Sequence, residues 1–145
     1  MHEEGVSYAD QARRFSHRVS QYRTCYLGLT LDRSTLYERI DQRVDEMIEH
    51  GLINEARQLY EHGLSDSYTA SAAIGYKELF EYFSGDLGID EAIEKLKKRT
   101  RNYAKRQMTW FRSDERIQWI AVDGRPSDEV ARTAIAMVDQ FNQRS

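Results

Sequence analysis

The sequence predicts an α/β fold, predominantly helical, in which two short strands complete a parallel sheet. Three observations predict it. Five or six stretches carry apolar residues at helical spacing, and only two runs, 24–31 and 116–122, have strand character. The first of these, TCYLGLTL, is apolar on both faces, as strands buried in a parallel sheet are. Two strands this far apart do not form a stable sheet alone. The sheet's other strands are therefore expected outside these 145 residues, and the chain is expected to be the C-terminal part of a larger α/β protein.

Taken in order, residues 8–20 are weakly helical and poor in large apolar groups, and read as a solvated helix or a frayed leader. TCYLGLTL is too short for a helix, and Asp32 punctuates its end. Asp32 or Ser34 can cap a helix that begins near Thr35. Leu36, Ile40, Val44, Met47 and Ile48 form its apolar stripe, and Gly51 closes it. Helices are predicted over 52–62, stopping at Gly63, and over 69–83, stopping near Gly85. A long helix spans 89–112, opened by Asp90, and RIQWIAV follows as the second strand. Ser127 is expected to cap a last helix over 128–142, with Val130, Ala134, Met137, Val138 and Phe141 inward.

The bulk numbers bound the function. With 21 basic and 24 acidic residues the net charge is −3, which argues against indiscriminate polyanion binding but leaves room for one local basic patch. The single Cys25 excludes an internal disulfide and fits a reducing, cytoplasmic setting. No run of 18 apolar residues occurs, so no membrane span is expected, and the N-terminus lacks a signal-peptide pattern.

The charge is unevenly placed. KLKKRTRNYAKRQMTWFR, residues 95–112, holds eight basic residues and no acidic one. On a helical wheel Lys97, Lys98, Arg101, Lys105 and Arg112 fall within an arc of about 100°. Ala92, Ile93, Leu96, Tyr103, Ala104, Trp110 and Phe111 fill another. A merely solvated face usually mixes signs, because Glu–Lys pairs stabilise it. A helix that buries one face and offers a basic stripe on another suits a phosphate backbone. Thr100 and Gln107 lie inside the apolar arc and are open to two readings: bonded to neighbouring backbone, or facing a cleft that admits a base. Arg43, at the edge of its helix's apolar stripe, is likewise either a snorkelling arginine paired to Asp41 or a nearby Glu, or a phosphate clamp. Trp110 and Phe111 are assigned to the core.

No phosphate loop, G-x-S-x-G or C-x-x-C occurs, and His2, His17, His50 and His62 lack metal-ligand spacing. By itself the sequence holds no recognisable catalytic centre, so no catalytic residue and no metal ligand is assigned.

GLTLDRSTLYERIDQRVDEMIEHGLINEA, AIGYKELFEYFSGDL and TRNYAKRQMTWFR…IQWI, in this order and at these separations, resemble the C-terminal half of the bacterial tRNA dimethylallyltransferases, also called tRNA isopentenyltransferases. The match runs from about Tyr22 to Ile120. The resemblance implies a P-loop kinase-like core, with residues 1–21 as the tail of a helical tRNA-binding insertion and 22–145 as the C-terminal part of the catalytic core. It implies transfer of a dimethylallyl group from dimethylallyl diphosphate to N6 of adenosine 37, with Mg2+ required and the tRNA anticodon stem-loop bound. Arg43 matches the arginine that faces the diphosphate. Thr100, Arg101, Asn102, Tyr103, Lys105, Arg106 and Gln107 match a tRNA-contacting segment, and Ser71 and Ala72 another. At Ala72 the side chain cannot hydrogen-bond, which leaves backbone contacts or Ser71. Tyr76 is expected to be structural, with Gly75 allowing close helix approach. The phosphate loop and general base belong to the N-terminal half of such enzymes, which is therefore a partner of these residues. A cytoplasmic monomer is implied. The alternatives from the residues alone are a stand-alone helical RNA-binding module without chemistry, and a helical scaffold with an incidental basic face.

Overall fold

Strand β1, Tyr26–Thr30, and strand β2, Ile117–Ala121, pair in parallel in the computed structural model, which describes residues 22–64, 67 and 73–144. Gly28 stands opposite Trp119 in the register. A β-carbon there would come within 2.8 Å of Ile117 Cγ2 and of the Trp119 ring, so the strand needs glycine at the place where the indole lies across it. Leu29 is 60 % exposed and Tyr26 is partly so: the two described strands leave β1 uncovered, in keeping with a sheet that continues beyond them.

Helix α1, Arg33–Glu49, starts two residues earlier than predicted, because Asp32 rather than Ser34 caps it. The Asp32 carboxylate accepts from Ser34 N–H at 2.8 Å and from the Ser34 hydroxyl at 2.6 Å. These bonds hold its pKa below the ordinary 3.8. The cap's contribution is thus present above the ordinary value and is lost as pH falls through the lowered one. Gly51, at φ +100°, turns the chain into α2, Leu52–Glu61.

Helix α3, Tyr76–Phe83, is preceded by a break within the predicted 69–83, whose residues 69–72 lie outside the described ones. Gly75 adopts φ +105°, which breaks the helical path before Tyr76. Close helix approach is not what requires this glycine: an added β-carbon would meet only Leu96 Cδ1, at an ordinary 3.9 Å. The positive φ is the requirement. Helix α4, Ile89–Arg112, matches its predicted span, with Asp90 and Glu91 in the first turn and Arg112 in the last, as the helix dipole favours.

Helix α5, Ser127–Gln143, includes Ser127 in its first turn; Pro126 stands at the cap position and no side chain caps it. None of its residues is fully buried, and Val138, expected inward, is exposed together with Ile135. Its packing partner is β2, and a two-stranded sheet is too narrow to cover it.

The core lies between α1, α2, α3 and the first half of α4: Val44, Leu52, Ala56, Leu79, Phe80 and Leu96, edged by Ile48, Tyr60, Phe83 and Ile93. Inside it sits one charged group. Glu78 is 0 % exposed; it accepts from Gly75 N–H at 3.0 Å and from the Arg99 guanidinium. The carboxylate thus closes the open turn before α3 and ties α3 to the middle of α4.

This packing predicts three stability effects. Gly28→Ala should cost about 1–3 kcal/mol in urea unfolding, because the methyl must displace the Trp119 ring. Arg99→Ala should cost roughly 3 kcal/mol by leaving a buried carboxylate unpaired. Lys95→Ala, which breaks the exposed pair with Glu81, should cost under about 1 kcal/mol. Equal losses for the two charge deletions would contradict the buried role of Glu78.

Candidate nucleic-acid interface

Helix α4 changes character along its length. Its first half packs on α1 and α3 through Ala92 and Leu96. From about Thr100 it runs past those helices toward the sheet, and its apolar arc there is no longer core. Trp110 is 59 % exposed and Phe111 38 %, their rings edge to face at 5.1 Å, and Tyr103 is also exposed. The assignment of Trp110 and Phe111 to the core is therefore corrected for the described residues: the hydrophobic core ends at Leu96, four turns short of them.

The eight cations of 95–112 divide in two. Lys95 pairs with Glu81 of α3, Lys97 with Asp45 of α1 at 2.7 Å, Arg99 with Glu78, and Arg101 with Asp41 of α1 at 2.5 Å. Lys97 and Arg101, two of the five residues of the predicted phosphate stripe, thus have carboxylate partners of their own. The Asp45 hydrogen bond, with the charges of Asp45, Glu94 and Asp41, raises the Lys97 pKa against a smaller opposing effect of burial. Lys98, Lys105, Arg106 and Arg112 pair with no carboxylate among the described residues. Arg106 lies over the Tyr103 ring at 5.8 Å. Three of these four cations, Lys105, Arg106 and Arg112, lie in the second half of the helix.

Two concave surfaces flank that second half. One, of about 570 Å³, is floored by β1 and β2 and walled by α1 and α4; Gly28, Leu36, Gln107, Met108, Phe111 and Trp119 line it, with Lys105 and Arg112 at its polar edge. The other, of about 590 Å³, is shallower and is lined by Asn102, Lys105, Arg106, Thr109, Trp110 and Ser113. Lys105 borders both. The two ambiguous polar residues separate here. The Thr100 hydroxyl donates to the Leu96 carbonyl at 2.9 Å, a bond to neighbouring backbone, whereas Gln107 faces the first groove. An apolar floor with an amide and two cations at its rim can receive a flat aromatic group on one side and phosphates on the other.

Arg43 is exposed on α1 and makes no ion pair among the described residues; Asp41, its proposed partner, is taken by Arg101. It lines neither groove. Ser71 and Ala72 lie outside the described residues, as do His2, His17 and the whole of 1–21. Tyr76 packs against Phe80 and donates from its hydroxyl to Glu55 at 2.6 Å, a contact that raises its pKa, with burial adding to the effect. Among the described residues no three His, Cys, Asp or Glu side chains converge to hold a metal ion.

Sequence reasoning missed the buried Glu78–Arg99 pair and the Asp41 and Asp45 partners of the stripe. A signal for the first existed. On the wheel Arg99 lies about 20° outside the apolar arc, away from the basic stripe, where a cation must be paired. The partners of Lys97 and Arg101 had no such signal, because they are contacts over more than 50 residues of sequence.

The model of the IPP transferase family matches residues 1–114. The tRNA dimethylallyltransferase of Geobacillus thermodenitrificans is 55 % identical over 106 residues, 73 % of this chain and 33 % of that protein. That of Halalkalibacterium halodurans is 45 % identical over 115 residues, 79 % and 36 % respectively. The chain therefore spans about a third of the length of these curated relatives. Among solved structures, the full-length tRNA isopentenylpyrophosphate transferase of Bacillus halodurans superposes with a TM-score of 0.75 at 37 % identity, over 91 % of this chain and 45 % of that one. The tRNA delta(2)-isopentenylpyrophosphate transferase of Staphylococcus epidermidis superposes with a TM-score of 0.76 at 36 % identity, over 93 % and 43 %. Motif order, α/β architecture and these matches agree: the chain belongs to the IPP transferase family.

Proposed function

We propose that the chain is the RNA-gripping, C-terminal portion of a tRNA dimethylallyltransferase, which transfers the dimethylallyl group of dimethylallyl diphosphate to N6 of adenosine 37, beside the anticodon. The observation that carries this reading is the second half of α4, where Lys105 borders two grooves and Lys105, Arg106 and Arg112 have no carboxylate partner among the described residues. Names of relatives that are 45 % and 55 % identical over this region support it.

In this reading Lys105 and Arg106 hold anticodon-stem phosphates, and Asn102 and Tyr103 border them. Gln107 presents an amide at the rim of the apolar groove, where an extruded adenine can be hydrogen-bonded. Extrusion is required because N6 is otherwise inside the stack. Thr100 and Arg101 belong to the same segment but support it from within, through the Leu96 carbonyl and Asp41. Ser71 or the backbone at Ala72 makes the second RNA contact. The N6 nitrogen bonds to the allylic carbon as the carbon–oxygen bond to diphosphate breaks, and the N6 proton passes to a general base. Negative charge grows on the leaving diphosphate, so a cation aimed at it lowers the barrier; Arg43 has that role. The phosphate loop, the general base and the Mg2+ site belong to the part of the family fold that this chain does not span. No described helix is long and apolar enough to cross a membrane. We place the enzyme in the cytoplasm, as a monomer.

Two measurements test this. In the enzyme carrying both halves, Arg43→Ala should slow single-turnover dimethylallyl transfer by roughly 100-fold and leave anticodon stem-loop affinity unchanged; an unchanged rate would exclude the diphosphate role. Lys105→Ala with Arg106→Ala should weaken binding of an anticodon stem-loop RNA by about 10-fold or more, and make the log–log salt slope shallower by roughly one to two units. An unaltered slope would remove these residues from the phosphate path.

A further inference from the structure

The eight-cation run of α4 is interrupted by carboxylates that come from elsewhere in the chain, and the placement of two of them bears on where RNA can lie. Asp41 and Asp45 are one turn apart on α1 and meet Arg101 and Lys97, one turn apart on α4. Both Asp41 oxygens lie within 2.6 Å of Arg101 Nη1. Both Asp45 oxygens lie within 2.9 Å of Lys97 Nζ. The two cations are well covered, with side-chain exposures of 24 % and 13 %, while their acidic partners are more open, at 36 % and 52 %. A phosphate approaching Lys97 or Arg101 therefore meets the carboxylates first.

On the wheel Lys97 and Arg101 occupy the edge of the basic arc nearest α1, and Lys98, Lys105 and Arg112 continue that arc away from it. Arg101 precedes Lys105 by one turn, about 6 Å along the axis. The Asp41 charge thus acts on the Lys105 surroundings within the Debye length of about 8 Å at physiological salt.

From this geometry we infer that Asp41 and Asp45 form an electrostatic fence, which keeps Lys97 and Arg101 from binding phosphate and leaves the side of the arc away from α1, Lys98, Lys105 and Arg112, to RNA. The same pairs fix the rotation of α4 against α1, so the fence also positions the free cations. The inference rests on the reading of α4 as an RNA-binding helix. It assigns specificity to acidic residues that touch no RNA: a polyanion that would follow the whole basic arc is refused, and one that fits only its far end is accepted.

The test uses the enzyme carrying both halves, a synthetic anticodon stem-loop RNA and an unstructured oligouridylate, with affinities measured from low to high salt. Asp41→Asn with Asp45→Asn frees two cations. The fence requires tighter oligouridylate binding, by about 10-fold at low salt, and a slope steeper by about one to two units, since each phosphate neutralised contributes about 0.7–0.9. Asp41→Glu, which keeps the pair, should restore the original slope. A merely structural role for the aspartates predicts weaker binding or none of this steepening, and that result overturns the inference. If the double variant loses its fold, each single Asn variant reads half the effect, and no steepening in either overturns it equally. Lys105→Ala in the same series separates the two levels. A slope that ignores Lys105→Ala sinks the RNA-binding reading itself. A slope that responds to Lys105→Ala but not to the aspartates sinks the fence alone.

Discussion

The arrangement depends on the buried carboxylate of Glu78. A charge removed from water costs several kcal/mol unless it is paired and hydrogen-bonded, and here both conditions fix geometry. Accepting from Gly75 N–H closes the turn ahead of α3, and accepting from Arg99 pins the middle of α4. Once Arg99 faces α3, the 100° step of the helix sets the rest. Lys97 and Arg101 swing toward α1, Lys98, Lys105 and Arg112 turn outward, and Gln107, Met108 and Phe111 face the sheet. One ion pair thereby orients three faces of a 24-residue helix.

The concentration of positive charge in an acidic chain then has two causes. In its first half α4 uses cations as structural partners for Glu81, Asp45, Glu78 and Asp41. In its second half the neighbours are a sheet and open grooves, and the cations stay free of such partners among the described residues. Exposed ion pairs contribute little to stability singly, so the pairs on α1 matter more for orientation and for screening than for holding the fold. The buried pair is the exception.

Much of this was legible in the sequence. The long helix was expected over roughly 89–112, opened by Asp90, and it spans Ile89–Arg112. Both strands were read, and the parallel sheet followed from TCYLGLTL, apolar on both faces; that β1 and β2 are direct neighbours was not readable. The helix before Phe83 was overextended, since AAIGYKE has helical spacing and only the φ of Gly75 reveals the break. Trp110 and Phe111 were misplaced because periodicity reports which residues share a face, and it cannot say where along a helix the covering neighbour ends. At the site, the basic arc and Gln107 were readable from spacing. The partition of the cations was not, because it depends on carboxylates brought from α1 and α3 by the fold.

The most direct measurement is backbone amide chemical-shift mapping of the enzyme carrying both halves, titrated with an anticodon stem-loop RNA. The largest shifts are expected on α4 from Asn102 to Arg112, with Lys97, Arg101 and α2 little changed. Shifts centred on α5 or on the paired cations Lys95, Lys97, Arg99 and Arg101, or none at saturating RNA, would contradict this arrangement.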